Sequence, residues 1–202
     1  GGYDGAGWAK LVKASSGRIA AGLGHTVGLK GDGTVVAAGG PASGRQKASD
    51  WTDIIQVAAG DAHIVGLKKD GTVVVAGPDR AYNVSGFRGV AQVAAGGDYT
   101  VCLKRDGTVE VSGGPYLPHE IQGWKDIVQV AAGENYAVGL TKDGTVVTAD
   151  NSGRKEGPEI SWRDIVQVST AGGSILGLQK DGSVLAVGGN YQNQADVSGW
   201  RD

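Results

Sequence analysis

The sequence predicts an all-β protein, a β-propeller built from five repeats of about 37 residues. Three observations support this fold class: a short turn motif recurs at nearly constant spacing, the apolar residues fall in short runs, and a large aromatic residue occurs once in each repeat. A chain of 202 residues suits one large β domain, so we expect residues 1–202 to form a single domain.

The repeat is marked by Asp-Gly followed by Thr or Ser, in steps of 38, 36, 37 and 38 residues. Asp-Gly between apolar, β-rich runs is a strong hairpin signal, so each unit is expected to contain a hairpin closed by a two-residue type I′ turn with positive φ at both positions. The motifs are Asp32-Gly33-Thr34, Asp70-Gly71-Thr72, Asp106-Gly107-Thr108, Asp143-Gly144-Thr145 and Asp181-Gly182-Ser183. The units are expected at residues 18–50, 51–86, 87–123, 124–161 and 162–202, with 1–17 as a partial unit.

Each unit is predicted to form an antiparallel sheet of three strands. In the second unit the strands are the apolar runs within residues 53–59, 64–67 and 72–75, and residues 195–198 are a candidate for a fourth strand in the last unit. The runs are nearly continuous in apolar residues, which is expected when both faces of a sheet are covered. Blades arranged around a common axis supply that cover.

Glycine and a large aromatic residue each recur at one aligned position. The mid-strand glycine indicates a close backbone approach, as expected for inner strands around a narrow channel. The aromatic residue is predicted to pack between adjacent blades, with stacking on a ligand as the alternative. The glycine position holds Gly28, Gly66, Gly139 and Gly177, with Cys102 as its fifth member, which is expected to be a buried core thiol. The aromatic position holds Trp51, Trp124, Trp162 and Trp200, with Phe87 in the remaining unit.

The two ends of the chain align with each other. Residues 1–15 match residues 188–202 in register, with Lys13 at the position of Trp200. We expect the C-terminal segment to pair with residues 18–22 and to close the ring, because pairing hides free strand edges. The alternatives are an open arc from a longer array and an arc completed by a second chain, so the protein is expected to be a monomer or a ring-completing homodimer.

Charge and hydropathy exclude two classes of partner. Lys and Arg total 19 against 21 for Asp and Glu, and neither sign is clustered. A nucleic-acid partner requires a basic footprint, so none is expected. No apolar stretch approaches the roughly 18 residues of a membrane helix, so no membrane partner is expected.

Signatures of catalysis are absent from the sequence. It contains no His-Glu-x-x-His, no Gly-x-Ser-x-Gly and no phosphate-binding loop that ends in Gly-Lys-Ser/Thr. The single Cys102 permits no internal disulfide and no cysteine cluster, and His25 and His63 are expected one blade apart. We therefore expect no enzyme activity, no catalytic residues, no metal and no cofactor.

The loop after the first strand of each unit differs in every copy. In a propeller these loops emerge on one face around the axis, so they are candidates for a binding surface. Aromatic residues beside carboxylates suit a protein hot spot or the apolar face of a sugar. For the four candidates with a cyclic side chain, His25, His63, Tyr99 and Tyr136, the alternative is that each forms a hydrogen bond with a neighbouring blade. The candidate partner-binding residues are His25, Asp61, His63, Asp98, Tyr99, Glu134 and Tyr136.

The unit Trp-x-Asp-Ile-Val-Gln-Val-Ala-Ala-Gly-x-x-His/Tyr-x-Val-Gly-Leu-Lys-x-Asp-Gly-Thr-Val resembles bacterial repeats of the regulator of chromosome condensation (RCC1) family. The likeness covers residues 18–202. It implies a β-propeller, although members usually have seven blades, and it implies a bacterial source. A propeller-type β-lactamase inhibitory protein among the bacterial relatives binds an enzyme through loops on one face.

The expected function is therefore that of a protein-binding interaction module, with the identity of the partner open. Two alternatives remain: a glycan-binding, lectin-like propeller, and a structural or self-assembling repeat domain. The sequence does not fix the compartment, and the resemblance favours a secreted or cell-surface protein.

Overall fold

The described part of the chain contains five three-stranded antiparallel sheets, as the repeat predicts. The computed structural model describes residues 17–39, 47–77, 83–113, 119–134, 136–150, 160–171, 173–189, 193 and 195–200. No helix in these ranges is long and apolar enough to cross a membrane. The sheets are called blades 1 to 5 and consist of β1 (Ile19–Ala21), β2 (His25–Leu29) and β3 (Val35–Gly39); β4 (Ile54–Ala59), β5 (Ile64–Lys68) and β6 (Val73–Ala76); β7 (Val90–Ala95), β8 (Tyr99–Lys104) and β9 (Val109–Gly113); β10 (Ile127–Ala132), β11 (Tyr136–Thr141) and β12 (Val146–Asp150); β13 (Ile165–Ala171), β14 (Ser174–Gln179) and β15 (Val184–Gly188), with a 3₁₀ helix at His119–Gly123 before blade 4.

The hydrophobic core lies between the blades. The first strand of each blade contacts the first strand of the next, and the second strand also contacts the first strand of the next blade. Four apolar clusters fill the four junctions, and the one between blades 1 and 2 joins Val27 and Val35 to Ile54 and Val57. Trp51, Phe87, Trp124 and Trp162 each belong to one of these clusters, so the predicted packing of the aromatic residue between blades is confirmed at these four positions. It does not hold for Trp200, which is 60% exposed.

The predicted two-residue type I′ turn is wrong. Gly33 has a φ of 82° but Asp32 is not among the residues with positive φ. The Gly33 N–H bonds the Lys30 carbonyl and the Lys30 N–H bonds the Thr34 carbonyl, which makes a three-residue loop ending in a left-handed glycine. The Asp32 carboxylate accepts bonds from the Thr34 N–H at 2.9 Å and the Thr34 hydroxyl at 2.6 Å, and this local bonding stabilises the longer loop.

Three of the four mid-strand glycines, Gly66, Gly139 and Gly177, face an indole ring rather than a backbone, so the expectation of a close backbone approach there is wrong. The fourth, Gly28, faces only a Val36 methyl group. A Cβ atom on Gly66 would lie 2.9 Å from two ring atoms of Trp51, and one on Gly139 would lie 2.9 Å from the ring of Trp124. In blade 3 the smaller ring of Phe87 accompanies the larger Cys102 side chain in the same cluster. Cys102 is fully buried, as predicted.

Close backbone approach occurs instead at the glycine that ends the first strand. A Cβ atom on Gly22 would lie 2.1 Å from the Gly60 carbonyl oxygen, and one on Gly60 would lie 2.2 Å from the Gly96 oxygen. A Cβ atom on Gly96 would likewise lie 2.5 Å from the Gly133 carbonyl oxygen. Because backbone atoms cannot be displaced as a flexible side chain can, these positions require glycine.

A glutamine from each of blades 2 to 4 bonds the first strand of the next blade. The Gln92 amide donates to the Val130 carbonyl at 2.9 Å and accepts from the Val130 N–H at 3.0 Å. Gln56 makes the same pair of bonds with Val93, and Gln129 makes them with Val168. The outer edge of the first strand has no strand partner, so these amides satisfy backbone groups that would otherwise be buried without hydrogen bonds.

The two ends of the array have exposed faces. Ile19 is 81% exposed although its equivalents in blades 2 to 5 are each 2% exposed, and Trp200 is 60% exposed. Residues 195–200 form turns rather than the candidate fourth strand, and they leave Ile19 uncovered. Ring closure by the whole C-terminal segment stays a prediction, because residues 1–16 and 201–202 lie outside the described ones.

We predict that Gln92→Leu lowers the free energy of unfolding by about 1–3 kcal/mol, because the buried backbone groups of Val130 lose their only side-chain partner. The matched change is Gln167→Leu in the last blade, where the side chain is exposed. It should change stability by less than about 0.5 kcal/mol. Urea denaturation of both variants measures the difference, and equal effects would contradict the role given to the glutamine.

Candidate binding surface

The connections between the first and second strands of the blades form a continuous surface, called here the loop ring. Its described residues are 22–24, 60–63, 96–98, 133–134 and 173. The Asp61 N–H donates to the Gly97 carbonyl at 3.0 Å, and the Gly97 N–H donates to the Gly133 carbonyl at 3.3 Å. The loops of blades 2 to 4 are therefore joined by their backbones, which holds their side chains on a common base.

Acidic side chains dominate the loop ring. Asp61 and Glu134 are exposed and Asp98 is half-buried, and the described residues of the ring include neither Lys nor Arg. The structure thus brings all three predicted carboxylates to one end of the blades. Leu23 in blade 1 is 84% exposed on the same set of loops. Leu23 is not among the candidates that the sequence predicts, because exposure of a single leucine has no sequence signal.

Three of the predicted ring-bearing residues lie under the loops and bond the next blade. His25 Nε2 lies 3.3 Å from the His63 carbonyl oxygen, and His63 Nε2 lies 3.1 Å from the Thr100 hydroxyl. The Tyr99 hydroxyl donates to the Gly133 carbonyl at 3.0 Å. All three side chains are buried. The bonding to neighbouring blades that was the alternative for these residues is therefore present, and a direct role in partner binding stays a prediction.

Tyr136 occupies the same position in blade 4. It is half-buried and packs against the apolar cluster between blades 4 and 5. A ring with one edge in a core and another at the surface can contact a partner without leaving its place. Its role in binding also stays a prediction.

Burial keeps the groups beneath the loop ring uncharged. It lowers the pKa of His63 to about 4, helped by the nearby His25, so the imidazole is neutral at pH 7. Burial, with the charges of Asp98 and Asp150, raises the pKa of the Tyr99 hydroxyl well above its usual value. Burial also raises the pKa of the Cys102 thiol to about 12. These neutral groups serve as hydrogen-bonding and packing groups.

Metal chemistry finds no support in the described part of the chain, where no three His, Cys, Asp or Glu side chains are grouped to hold an ion. The arrangement that remains is a rigid, acidic surface of loops with one exposed leucine. Such a surface can bind another molecule by charge and shape.

Comparison with known proteins supports this fold. Residues 54–83 match the profile of the regulator of chromosome condensation (RCC1) repeat. The chain is similar to Prp20p of Saccharomyces cerevisiae, with a TM-score of 0.64 and 18% identity over 84% of this chain and 56% of that one. It is also similar to human WBSCR16, with a TM-score of 0.68 and 18% identity over 88% of this chain and 63% of that one. A search of curated protein sequences gives no match.

A third similar structure is the CRINKLY ectodomain of the Arabidopsis thaliana receptor kinase ACR4, with a TM-score of 0.67 and 19% identity over 84% of this chain and 64% of that one. The chain thus spans less than two thirds of each of these three proteins. At this identity the likeness establishes the fold.

The protein is a β-propeller, with five antiparallel blades that pack through their faces. One of its repeats matches the RCC1 repeat profile, and its fold is similar to that of the yeast RCC1 protein Prp20p. The expected bacterial source is not tested by these similarities.

We predict that stability falls by about 2–3 kcal/mol between pH 7 and pH 4.5 through His63 alone. Its pKa in the folded protein is about 4, whereas unfolded histidine titrates near 6.5. The unfolded state therefore binds a proton first as the pH falls through 6.5, and stability is lost until the folded pKa is reached. Urea denaturation at the two pH values should give a flatter dependence for His63→Gln than for the wild type. An identical slope would contradict the depressed pKa.

Proposed function

We propose that the protein is a protein-binding propeller that contacts its partner through the loop ring. The observation that carries this proposal is the set of differing, exposed or half-buried side chains on the loops of blades 2 to 4, whose backbones are bonded to one another. The base of the surface is rigid because Gly22, Gly60 and Gly96 pack against the next blade. The side chains of the loop ring therefore differ from blade to blade while the backbone of each loop keeps its position, which is typical of binding surfaces on a constant scaffold.

The charges of the loop ring favour a basic partner surface. Asp61, Asp98 and Glu134 lie on three successive blades. Opposite charge on a partner would speed association and fix the orientation of the complex. The exposed Leu23 lies at the blade 1 end of the same surface and would supply apolar contact area. The proposed partner is a folded protein that presents Lys or Arg residues around a small apolar centre.

The similar propellers add support at a coarser level. Prp20p of Saccharomyces cerevisiae has binding properties toward Gsp1p and histones, and the same yeast protein has been seen bound to Kap60. These partners are known for that protein and do not transfer to this chain at 18% identity. They support protein binding as a use of the fold. We assign no catalytic step to the protein.

Glycan binding is the less favoured alternative. Stacking of a sugar on an aromatic face needs an exposed ring, and the ring of Tyr99, which lies beneath the loop ring, is fully buried. The carboxylates are also not equivalent from blade to blade, which argues against a repeated sugar pocket. A glycan array with binding at millimolar affinity or tighter would reverse this preference.

We predict that the triple charge reversal Asp61→Lys, Asp98→Lys and Glu134→Lys abolishes capture of the partner. The change replaces three negative charges with positive ones on the proposed surface, and like charges across an interface cost several kcal/mol. A pull-down from an extract of the source organism, quantified by mass spectrometry, compares this variant with the wild type.

The matched control is Asp50→Lys, Glu120→Lys and Asp196→Lys. These carboxylates are exposed and lie outside the loop ring: Asp50 and Glu120 precede β4 and β10, and Asp196 follows β15. The control variant has the same net charge as the test variant and should retain the partner. Equal loss in both variants would point to net charge, and retention in both would refute the loop ring as the binding surface.

A further inference from the structure

Two neighbouring loops of the loop ring rest on side chains of different chemistry. In blade 2 the loop at residues 60–62 lies on the His63 imidazole, because a Cβ atom on Gly60 would lie 2.6 Å from His63 Nδ1. In blade 3 the loop at residues 96–98 lies on the Tyr99 phenol, because a Cβ atom on Gly96 would lie 2.5 Å from Tyr99 Cζ. Both side chains are fully buried. The two loops are therefore supported in the same way by a ring that can gain a proton and by one that cannot.

The same backbone contact closes both loops. The Asp61 N–H of blade 2 donates to the Gly97 carbonyl of blade 3 at 3.0 Å. The Gly97 N–H in turn donates to the Gly133 carbonyl of blade 4 at 3.3 Å. Each of these hydrogen bonds is broken when its loop lifts away from the next blade. The amide of Asp61 therefore reports closure of the blade 2 loop, and the amide of Gly97 reports closure of the blade 3 loop.

Water reaches the His63 imidazole only when an element that covers it moves. The Nε2 atom of His63 lies 3.1 Å from the Thr100 hydroxyl on β8, and its carbonyl oxygen lies 3.3 Å from Nε2 of His25 on β2. The titratable groups of the surrounding elements are His25 on β2, Tyr99 on β8 and Asp61 on the loop itself. Burial and His25 lower the pKa of His63 to about 4, although a hydrogen bond with the Tyr99 backbone favours the charged form.

Tyr99 supports the blade 3 loop with a group that does not titrate near neutral pH. Its hydroxyl donates to the Gly133 carbonyl at 3.0 Å. Burial, with the charges of Asp98 and Asp150, raises the pKa of this hydroxyl well above its usual value. The phenol therefore stays neutral at pH 7 and at pH 5. The blade 3 loop is an internal reference for the blade 2 loop.

We propose that acidification opens the loop of blade 2 by drawing His63 into water, while the loop of blade 3 stays closed on Tyr99. In the closed loop a charged imidazole would be buried beside His25, whereas in the open loop it is hydrated. A proton therefore binds the open form more tightly, and a lower pH shifts the equilibrium toward that form. Asp61 moves with this loop, so acid would also weaken the contact with a partner, a consequence that rests on the function proposed above.

Hydrogen exchange on the wild-type chain at pH 7 and pH 5 tests the proposal without a partner, so its failure would leave the proposed function standing. Each exchange rate is divided by the intrinsic rate of an unprotected amide at the same pH. With a histidine pKa of about 4 in the closed loop and about 6.5 in the open one, opening should become about 20-fold more frequent at pH 5. The Asp61 amide should lose protection by that factor. The Gly97 amide should change by less than about twofold, because Tyr99 binds no proton in this range.

Exchanging the two supporting residues assigns the effect to His63. His63→Tyr gives blade 2 the residue of blade 3 and should remove the acid sensitivity of the Asp61 amide. Tyr99→His is the converse change and should make the Gly97 amide acid-sensitive. A near-ultraviolet circular dichroism spectrum like that of the wild type shows that a variant is folded, and the two wild-type amides decide the outcome where a variant is not. Equal loss of protection at Asp61 and Gly97, no loss at Asp61, or acid sensitivity that persists in folded His63→Tyr would overturn the proposal.

Discussion

The structure depends on one constraint: the first strand of each blade has an edge with no strand beside it. Its N–H and C=O groups lie at a packed junction, where leaving them unbonded is costly. A glutamine amide from the preceding blade meets this need in blades 3 to 5. Because the amide and its backbone partner are one repeat apart, the period of the sequence and the packing of the blades are linked. A single blade would satisfy neither its edge nor its apolar faces.

Features that arise from local signals could be predicted from the sequence. The spacing of Asp-Gly pairs located all five hairpins, and the once-per-unit tryptophan predicted an aromatic group at each junction. Burial of Cys102 followed from its place in an apolar run. These predictions held because a period of this length reports one structural unit, and the same interpretation could be checked against each copy in turn.

Features that depend on a neighbouring blade could not be predicted. Gln92 stands in an apolar strand and looks like a surface residue until the next strand is placed beside it. His63 and Tyr99 lie in variable loops, which suggested exposure, but the sheet turns both inward. Asp126 and Asp164 adopt positive φ just before the first strands of blades 4 and 5. The equivalent residue in blade 3 is Gly89, and this glycine is the only sign of that backbone conformation in the sequence. The carboxylates of the loop ring were found because no apolar neighbour in their loops competes for burial.

The same constraint explains why the ends of the array differ from its middle. At internal junctions the edge of the first strand is hydrogen-bonded and an indole ring covers the glycine. At the two ends of the array, Ile19 and Trp200 are left exposed. Hydrogen exchange measured by NMR on the dilute protein tests this account most directly. The amides of Val93, Val130 and Val168 should exchange as slowly as amides paired between strands, and the amide of Ile19 should exchange at the rate of an exposed loop. Fast exchange at the three valines would contradict the claim that the glutamines hold the blades together.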